Sequence, residues 1–548
     1  MRVRSLALVA LTSAAIVIPP STGPAVAVEG THSENLTHLQ TLAYPKHPDP
    51  TRPDGLRNAM TNGGTDIEFM TLEVPKLDEN GNPICVVRQK KRTTECATRK
   101  DGSIIYRTDD REYALAGSYD NGLQLVDITV PTESRIVGNY DCAIRQGDVQ
   151  VFRRGERTYA TYTQDDPYNR SATRPQHYLT SDCYVEAEEL GLYQPGVTNP
   201  AGTFIVDVTD PTNPTTVSFI SVTVGSHNQT VAPGGRYLYN SNSDVGAVRV
   251  PSIEVYDISD FANPTQVKTL GPADGLTGLS SHDITFSENG DRAYSAAVTE
   301  TLVLDTTDLA NPKIIGRIVD PAVNIHHQSD PVTLTDATTG LTRTFLIVTD
   351  EIAGAAGNAI CPGGGLHVYD ITGSLENSPV KVGFWNIPST RKTTALAGRC
   401  TSHVLRLHPD EGIMTIAWYN AGVRVVDISG LVGVSVGATE TTGNVGAGMR
   451  EIGFYYFPTS VPASPGVPAS PSSETWAAKT NHIEQDGSFY LYGNDQNRGL
   501  DIYRFDGTAP ESPNGGTWLT PAQSLELAQA RGVQADPQTG PFCLYLGV

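Results

Sequence analysis

The sequence predicts an all-β chain closed into a seven-bladed β-propeller, followed by a short C-terminal helix. Three observations carry that reading. A phrase of alternating apolar residues ending in Asp recurs as GLQLVDI (122–128), GTFIVDV (202–208), SIEVYDI (252–258), TLVLDT (301–306), GLHVYDI (365–371) and GVRVVDI (422–428). A seventh copy, GLDIYRF (499–505), has Arg504 in place of the Asp. Short alternating segments such as REYALAG, RYLYNS and TFLIVTD precede these phrases, and Asn-Pro or Ser-Pro turns with another alternating segment follow many of them. Period-2 alternation rich in Val, Ile and Tyr is the pattern of β-strands. A further segment opens each unit: TDIEF (65–69), GDVQVF (147–152), SHNQTV (226–231), SHDITF (281–286), HHQSDPV (326–332), SHVLRL (402–407) and NHIEQD (481–486). Seven units of four strands favour radial closure over a pair of stacked sheets.

The parts follow in chain order. Arg2 and Arg4, the apolar run Ser5–Ile18 and Ala25-Val26-Ala27 predict a secretory signal over 1–27. The propeller is expected over 28–510. Residues 34–44 read as an outer strand and the last unit lacks one, so the N-terminal segment is expected to complete the last blade and remove an open edge. Insertions interrupt the units at 74–110, 164–201, 352–364 and 458–473, the last a Pro/Ser/Ala linker. Residues 511–548 form a C-terminal extension. In it Thr520 can cap, Pro521 sits at a first helical position and Gly532 can stop a short helix.

Composition bounds the function. The 548 residues include 39 Lys+Arg and 60 Asp+Glu, a net charge of −21 that becomes −23 without Arg2 and Arg4. Such a surface disfavours nucleic acid and anionic membranes. No stretch after the signal has the length and apolarity of a membrane span. Seven cysteines without a CxxC motif point to disulfides in an oxidising compartment. The plausible pairs are Cys85 with Cys96, Cys142 with Cys183, and Cys361 with Cys400, leaving Cys543 over. The protein is expected outside the cell, free of a membrane anchor.

The LVDI, IVDV and VVDI phrases with their following Asn-Pro turns resemble the LVIVD-repeat family of bacterial secreted and surface proteins. His327-Gln328 with Asp350-Glu351, and the SHN at 226–228, are similar to its choice-of-anchor subgroup. The resemblance spans roughly 34–506 and departs at Arg504 and in the long insertions. It implies a propeller fold and brings no catalytic residue with it.

The chemistry lies at one repeat position. Aligning the seven opening segments places Asp66, Asp148, His227, His282, His327, His403 and His482 together, with His326 as the alternative to His327. Innermost strands line a propeller's channel, so one repeated position becomes a ring at its mouth. Imidazole and carboxylate are metal-ligand types, and a mixed N/O set suits zinc, copper, manganese or iron. Consecutive His227, His282, His327 and His403 are the first candidates. The other readings are histidines that only brace neighbouring blades, and protonated imidazoles holding an anion or organic ligand. Loops expected on the same face carry Asp120, Asp244, Glu300, Asp350, Glu351, Asn420, Asp495 and Arg498. Asp350 or Glu351 could serve there as a general base. The strand-end residues Asp127, Asp207, Asp257, Asp305, Asp370 and Asp427 read as turn caps. GVSVG (433–437) lacks the strand-turn-helix setting of a nucleophile elbow. The functions in view are a secreted ligand-binding propeller using a metal, a metal-dependent extracellular hydrolase, lyase or oxidase, and a structural or protein-interaction propeller.

Overall fold

In a computed structural model the described residues form seven four-stranded antiparallel sheets, one of them with a short added edge strand, and a separate two-stranded hairpin. The structure describes residues 30–47, 62–90, 93–119, 121–144, 146–164, 181–192, 202–222, 225–242, 251–351, 364–387, 400–434, 448–458 and 471–509. The proposed signal, Cys361, Cys543, Asp120, Asp244, the linker's centre and the C-terminal helix at 520–532 lie outside these residues.

Each of the first six blades runs in chain order from its inner to its outer strand. The inner strands are Gly64–Pro75, Gln146–Arg154, Asn228–Val231, Asp283–Phe286, His326–Thr335 and Leu405–His408. The seventh inner strand is Thr475–Lys479, not 481–486. Residues around 481–488 form the turn to the next strand, where Glu484 N–H donates to Ser488 and Gly487 adopts φ +81°. Only a residue tolerant of the left-handed region suits that place. The outer strand of this blade is Leu36–Leu42, antiparallel to Gly499–Phe505. Thr31–His32 adds a fifth strand to the sixth blade, beside Arg450–Tyr456.

Local chemistry explains the repeat. The third strands, such as Leu123–Asp127 and Gly365–Asp370, are buried along their length, because neighbouring blades cover both faces. This is why their phrases are so apolar. Pairing of third with fourth strands shifts register at Leu125/Val126, Ile205/Val206, Val255/Tyr256, Val303/Leu304, Val368/Tyr369 and Val425/Val426. A bulge at the same place in six blades increases the local twist. All six strand-end Asp residues accept the N–H two residues on, from Thr129, Thr209, Ser259, Thr307, Thr372 and Ser429. Each also pairs with arginine: Asp127 with Arg111 and Arg135, Asp207 with Arg157, Asp257 with Arg236, Asp305 with Arg292, Asp370 with Arg343, and Asp427 with Arg450. The core sits between blades, as where Trp385 and Trp418 meet edge to face at 5.9 Å among Ile347, Val368 and Val426.

The first insertion lengthens the first two strands of blade one and carries a hairpin, Val87–Lys90 with Thr93–Cys96, stapled by the Cys85–Cys96 disulfide. The second contains a helix that sequence reasoning missed, α1 (Asp182–Glu189). Tyr184 packs on Phe204 with ring centroids 5.1 Å apart, and Glu186 accepts the Thr216 N–H. Cys142–Cys183 ties α1 to the end of blade one. Cys400 is also disulfide-bonded. Among the described residues no helix is long and apolar enough to cross a membrane.

Candidate metal centre

His227, His282, His327 and His403 come from the inner-strand ends of four consecutive blades. Backbone N–H groups of His227, His282 and His403 donate to Ser241, Ala296 and Ala417, the last residues of the paired second strands. That register fixes each Cα, and the imidazoles line up with successive ring centroids 4.3 Å apart. All four are at most 3% exposed.

The ring nitrogens have different partners. His282 Nδ1 lies 3.0 Å from the His327 carbonyl oxygen, and His403 Nδ1 lies 2.6 Å from that of Trp476. A carbonyl only accepts, so in both rings Nδ1 carries the proton and Nε2 presents a lone pair. The same two bonds join blade four to five and blade six to seven. Fully buried Glu351 completes the group. Its carboxylate oxygens stand 3.7 Å from His327 Nε2 and 3.8 Å from His403 Nε2, and Tyr419 donates its hydroxyl to Oε1 at 2.8 Å. One ligand atom each from His282, His327 and Glu351 lies within 4.8 Å of the others. Ligands about 2.1 Å from a tetrahedral ion stand roughly 3.4 Å apart, so a small contraction would suffice. Burial, with the neighbouring imidazoles, pushes His282 and His327 well below the usual histidine range. They are neutral at pH 7, the form that ligates metal.

Backbone strain gathers here. The three non-glycine residues with positive φ among those described are Gln146 (+74°), Val298 (+61°) and Tyr419 (+42°). Gln146 Nε2 lies 3.1 Å from His227 Nε2, Val298 pairs with His326 through the backbone, and Tyr419 holds Glu351. A β-branched residue in this region is a true outlier, and such strain collects at functional sites.

The other expected ring members lie elsewhere. His482 sits in the turn after the seventh inner strand, its side chain 49% exposed and 3.1 Å from Glu484. Trp476 takes its place, edge-on to His403 at 4.6 Å. Asp66 and Asp148 lie one residue further along their strands, level with Asp283, the neighbour of His282. One residue of offset turns a strand side chain to the other face. They line the channel instead, in a polar collar with Glu68, Asp283 and Asp330. Lys479 contacts Asp66 and Glu68 at 2.8 Å, and Arg406 pairs with Glu68. Burial raises Asp148 well above the carboxylate range, Asp283 to about 7 and Asp330 to about 6. His326 turns away, its Nδ1 2.8 Å from Thr301 Oγ1. Asp350 is directed elsewhere too. It accepts the N–H groups of Asn324 and Ile325 and faces His367 at 3.7 Å, and burial raises it to about 7.

The described loop residues on the histidines' face are buried. Glu300, Asp350, Asn420, Asp495 and Arg498 are each at most 6% exposed. The channel holds a cavity of about 750 Å³ that reaches His327, His403 and Trp476 and extends to Arg153, Gly234 and Glu288 at the opposite strand ends. Arg153 and Glu288 are exposed, so the cavity meets solvent on that side. Sequence reasoning missed Gln146, Tyr419 and Trp476. Each is set by a turn or by packing, and none repeats between blades.

No family model matches this sequence, and no curated protein matches it. Solved structures similar to it include the periplasmic gluconolactonase PpgL of Pseudomonas aeruginosa, at 12% identity and TM-score 0.35, covering 68% of this chain and 94% of that one. A functionally unknown protein of Desulfotomaculum acetoxidans has 12% identity and TM-score 0.36, over 59% and 80%. The β-propeller domain of Myceliophteria thermophila Cps50 (Swd1) has 9% identity and TM-score 0.41, over 77% and 98%. At these scores they carry nothing about this chain's function.

Proposed function

We propose that this is a secreted propeller of the LVIVD-repeat kind that holds one divalent transition metal at the closed end of its channel. His282, His327, His403 and Glu351 are the ligand set, and His227 is next in the row. The observation that carries the reading is the convergence of imidazole Nε2 atoms on one buried carboxylate, while the Nδ1 atoms of His282 and His403 are held by backbone carbonyls. Ligating histidines ordinarily have their second nitrogen fixed in this way. The mixed N/O set admits zinc, manganese, iron or copper. A bound ion would supply Lewis-acid polarisation to a ligand reaching it from the axial cavity. Two disulfides support an oxidising, extracellular location. The pairing of Leu36–Leu42 with Gly499–Phe505 supports a ring fastened by its own N-terminal segment.

The second reading is that the row only braces the blades. The Nδ1–carbonyl bonds between blades favour it, and they would form without metal. Elemental mass spectrometry of protein purified without a histidine tag separates the two. About one equivalent of metal is expected, lost in folded His282→Ala and His327→Ala variants and retained in His482→Ala. No metal after incubation with zinc, copper and manganese would leave bracing as the row's role.

A further inference from the structure

The channel cavity has chemistry that the metal reading does not use. Its volume, about 750 Å³, lies in the range of small-molecule pockets (roughly 300–1,000 Å³). Its collar carries five carboxyl groups against two cations, Lys479 and Arg406. Lys479 is engaged by Asp66 and Glu68, and Arg406 by Glu68. The Asp148 carboxyl has no hydrogen bond or ion pair to another described residue. Among the described residues, the Asp283 carboxyl accepts only the adjoining Ile284 N–H. Gln146 is 4% exposed and lines the same cavity. Its Nε2 is committed to His227 and Asn228, while its buried Oε1 accepts from no described residue. Asp148 and Asp283 are therefore the carboxyl groups left without a cation, and the amide oxygen of Gln146 is open on the same wall.

We infer that this cavity, beside the histidine row, takes a small organic ligand through a primary ammonium group held by Asp148, Asp283 and Gln146. An ammonium brings the positive charge that this group of carboxyls lacks, with three donors for its oxygens. A neutral polyol brings no charge. A calcium ion needs six to eight oxygens at about 2.3–2.6 Å. Among the described residues, the one group of three ligand-type side chains drawn that close is His282, His327 and Glu351, not the collar. The solvent-facing end beside Arg153 and Glu288 gives the ligand its way in.

The test is titration calorimetry with 1,4-diaminobutane on chelator-treated protein, repeated after zinc loading, with 1,4-butanediol and calcium chloride as comparisons. The diamine should bind once per chain in both samples, and the diol and calcium should give no binding heat. Asp148→Asn and Asp283→Asn keep the side-chain shape, and thermal melts confirm that they fold. Each should weaken the diamine by at least about 30-fold, the scale for removing one partner of a buried charge pair. Absence of diamine binding, equal binding of the diol, calcium in place of the diamine, or unchanged affinity in both variants would overturn the inference. Metal content is measured on the same samples. A metal-free histidine row with diamine bound therefore counts against the metal site alone, and the reverse against the cavity alone.

Discussion

Changing Tyr419 to Phe removes one oxygen atom and leaves the aromatic ring against His403. That hydroxyl donates to Glu351 Oε1 at 2.8 Å, and Glu351 is fully buried. A hydrogen bond to a charged group contributes about 1.5–3 kcal/mol. At 1.4 kcal/mol per factor of ten, its loss corresponds to roughly 10- to 100-fold in affinity. This matches the usual effect of removing an outer partner of a metal ligand. The assay is a zinc titration at pH 7 in competition with a chromogenic chelator. Tyr419→Phe should bind zinc about 10- to 100-fold more weakly at unchanged stoichiometry, because the ligands remain and only the orientation of Glu351 is loosened. An affinity within twofold of the wild type would refute the idea that this hydroxyl sets the carboxylate.

Three further outcomes follow from the packing. Cys142–Cys183 closes a separation of 41 residues, so replacing both cysteines with Ala should lower stability by about 4 kcal/mol, read by urea unfolding; Cys85→Ala with Cys96→Ala should leave the global transition in place, since that staple serves a protruding hairpin. Arg424 and Glu451 form a pair 3.2 Å apart with both side chains at most 1% exposed. Arg424→Met alone should destabilise by about 3–5 kcal/mol, while the double variant with Glu451→Leu should recover most of that loss; equal losses in the single and double variants would contradict it. Asp501 would be raised by burial, but the Arg498 guanidinium and His38 reverse this and hold it below the usual carboxylate range. Its folded value is below its unfolded value of about 3.9. The unfolded chain therefore takes up the extra proton, and this stability is present above about pH 4 and lost as pH falls further. Asp501→Asn should flatten that acid limb in melts between pH 5 and 2, and an unchanged slope would rule out the linkage.

Much of the architecture was legible because a propeller repeats its local physics. The apolar third strands and their terminal Asp caps recur, and four histidines stand at one repeat position. Period-2 alternation tells which side chains share a face. It does so only when the strand is rightly placed, and the two errors in the ring are of that kind. Asp66 and Asp148 matched the histidines in type but sit one residue along, which moves them into the channel collar. His482 matched by its neighbours, whereas the seventh inner strand is the Ala-rich Thr475–Lys479, which carries little alternation of its own.

By itself, the sequence determined the β architecture, the seven repeats, the acidic surface and the histidine row, since each is a property of local pattern or composition. Only the tertiary structure decided that Glu351, from the end of a second strand, meets His327 and His403, and that Tyr419 and Gln146 hold the row's two ends. It also decided that the cavity opens on the side away from the histidine row. These depend on how blades pack around the axis and which loops bury one another, and contacts between residues so far apart in the chain leave no periodic trace in it.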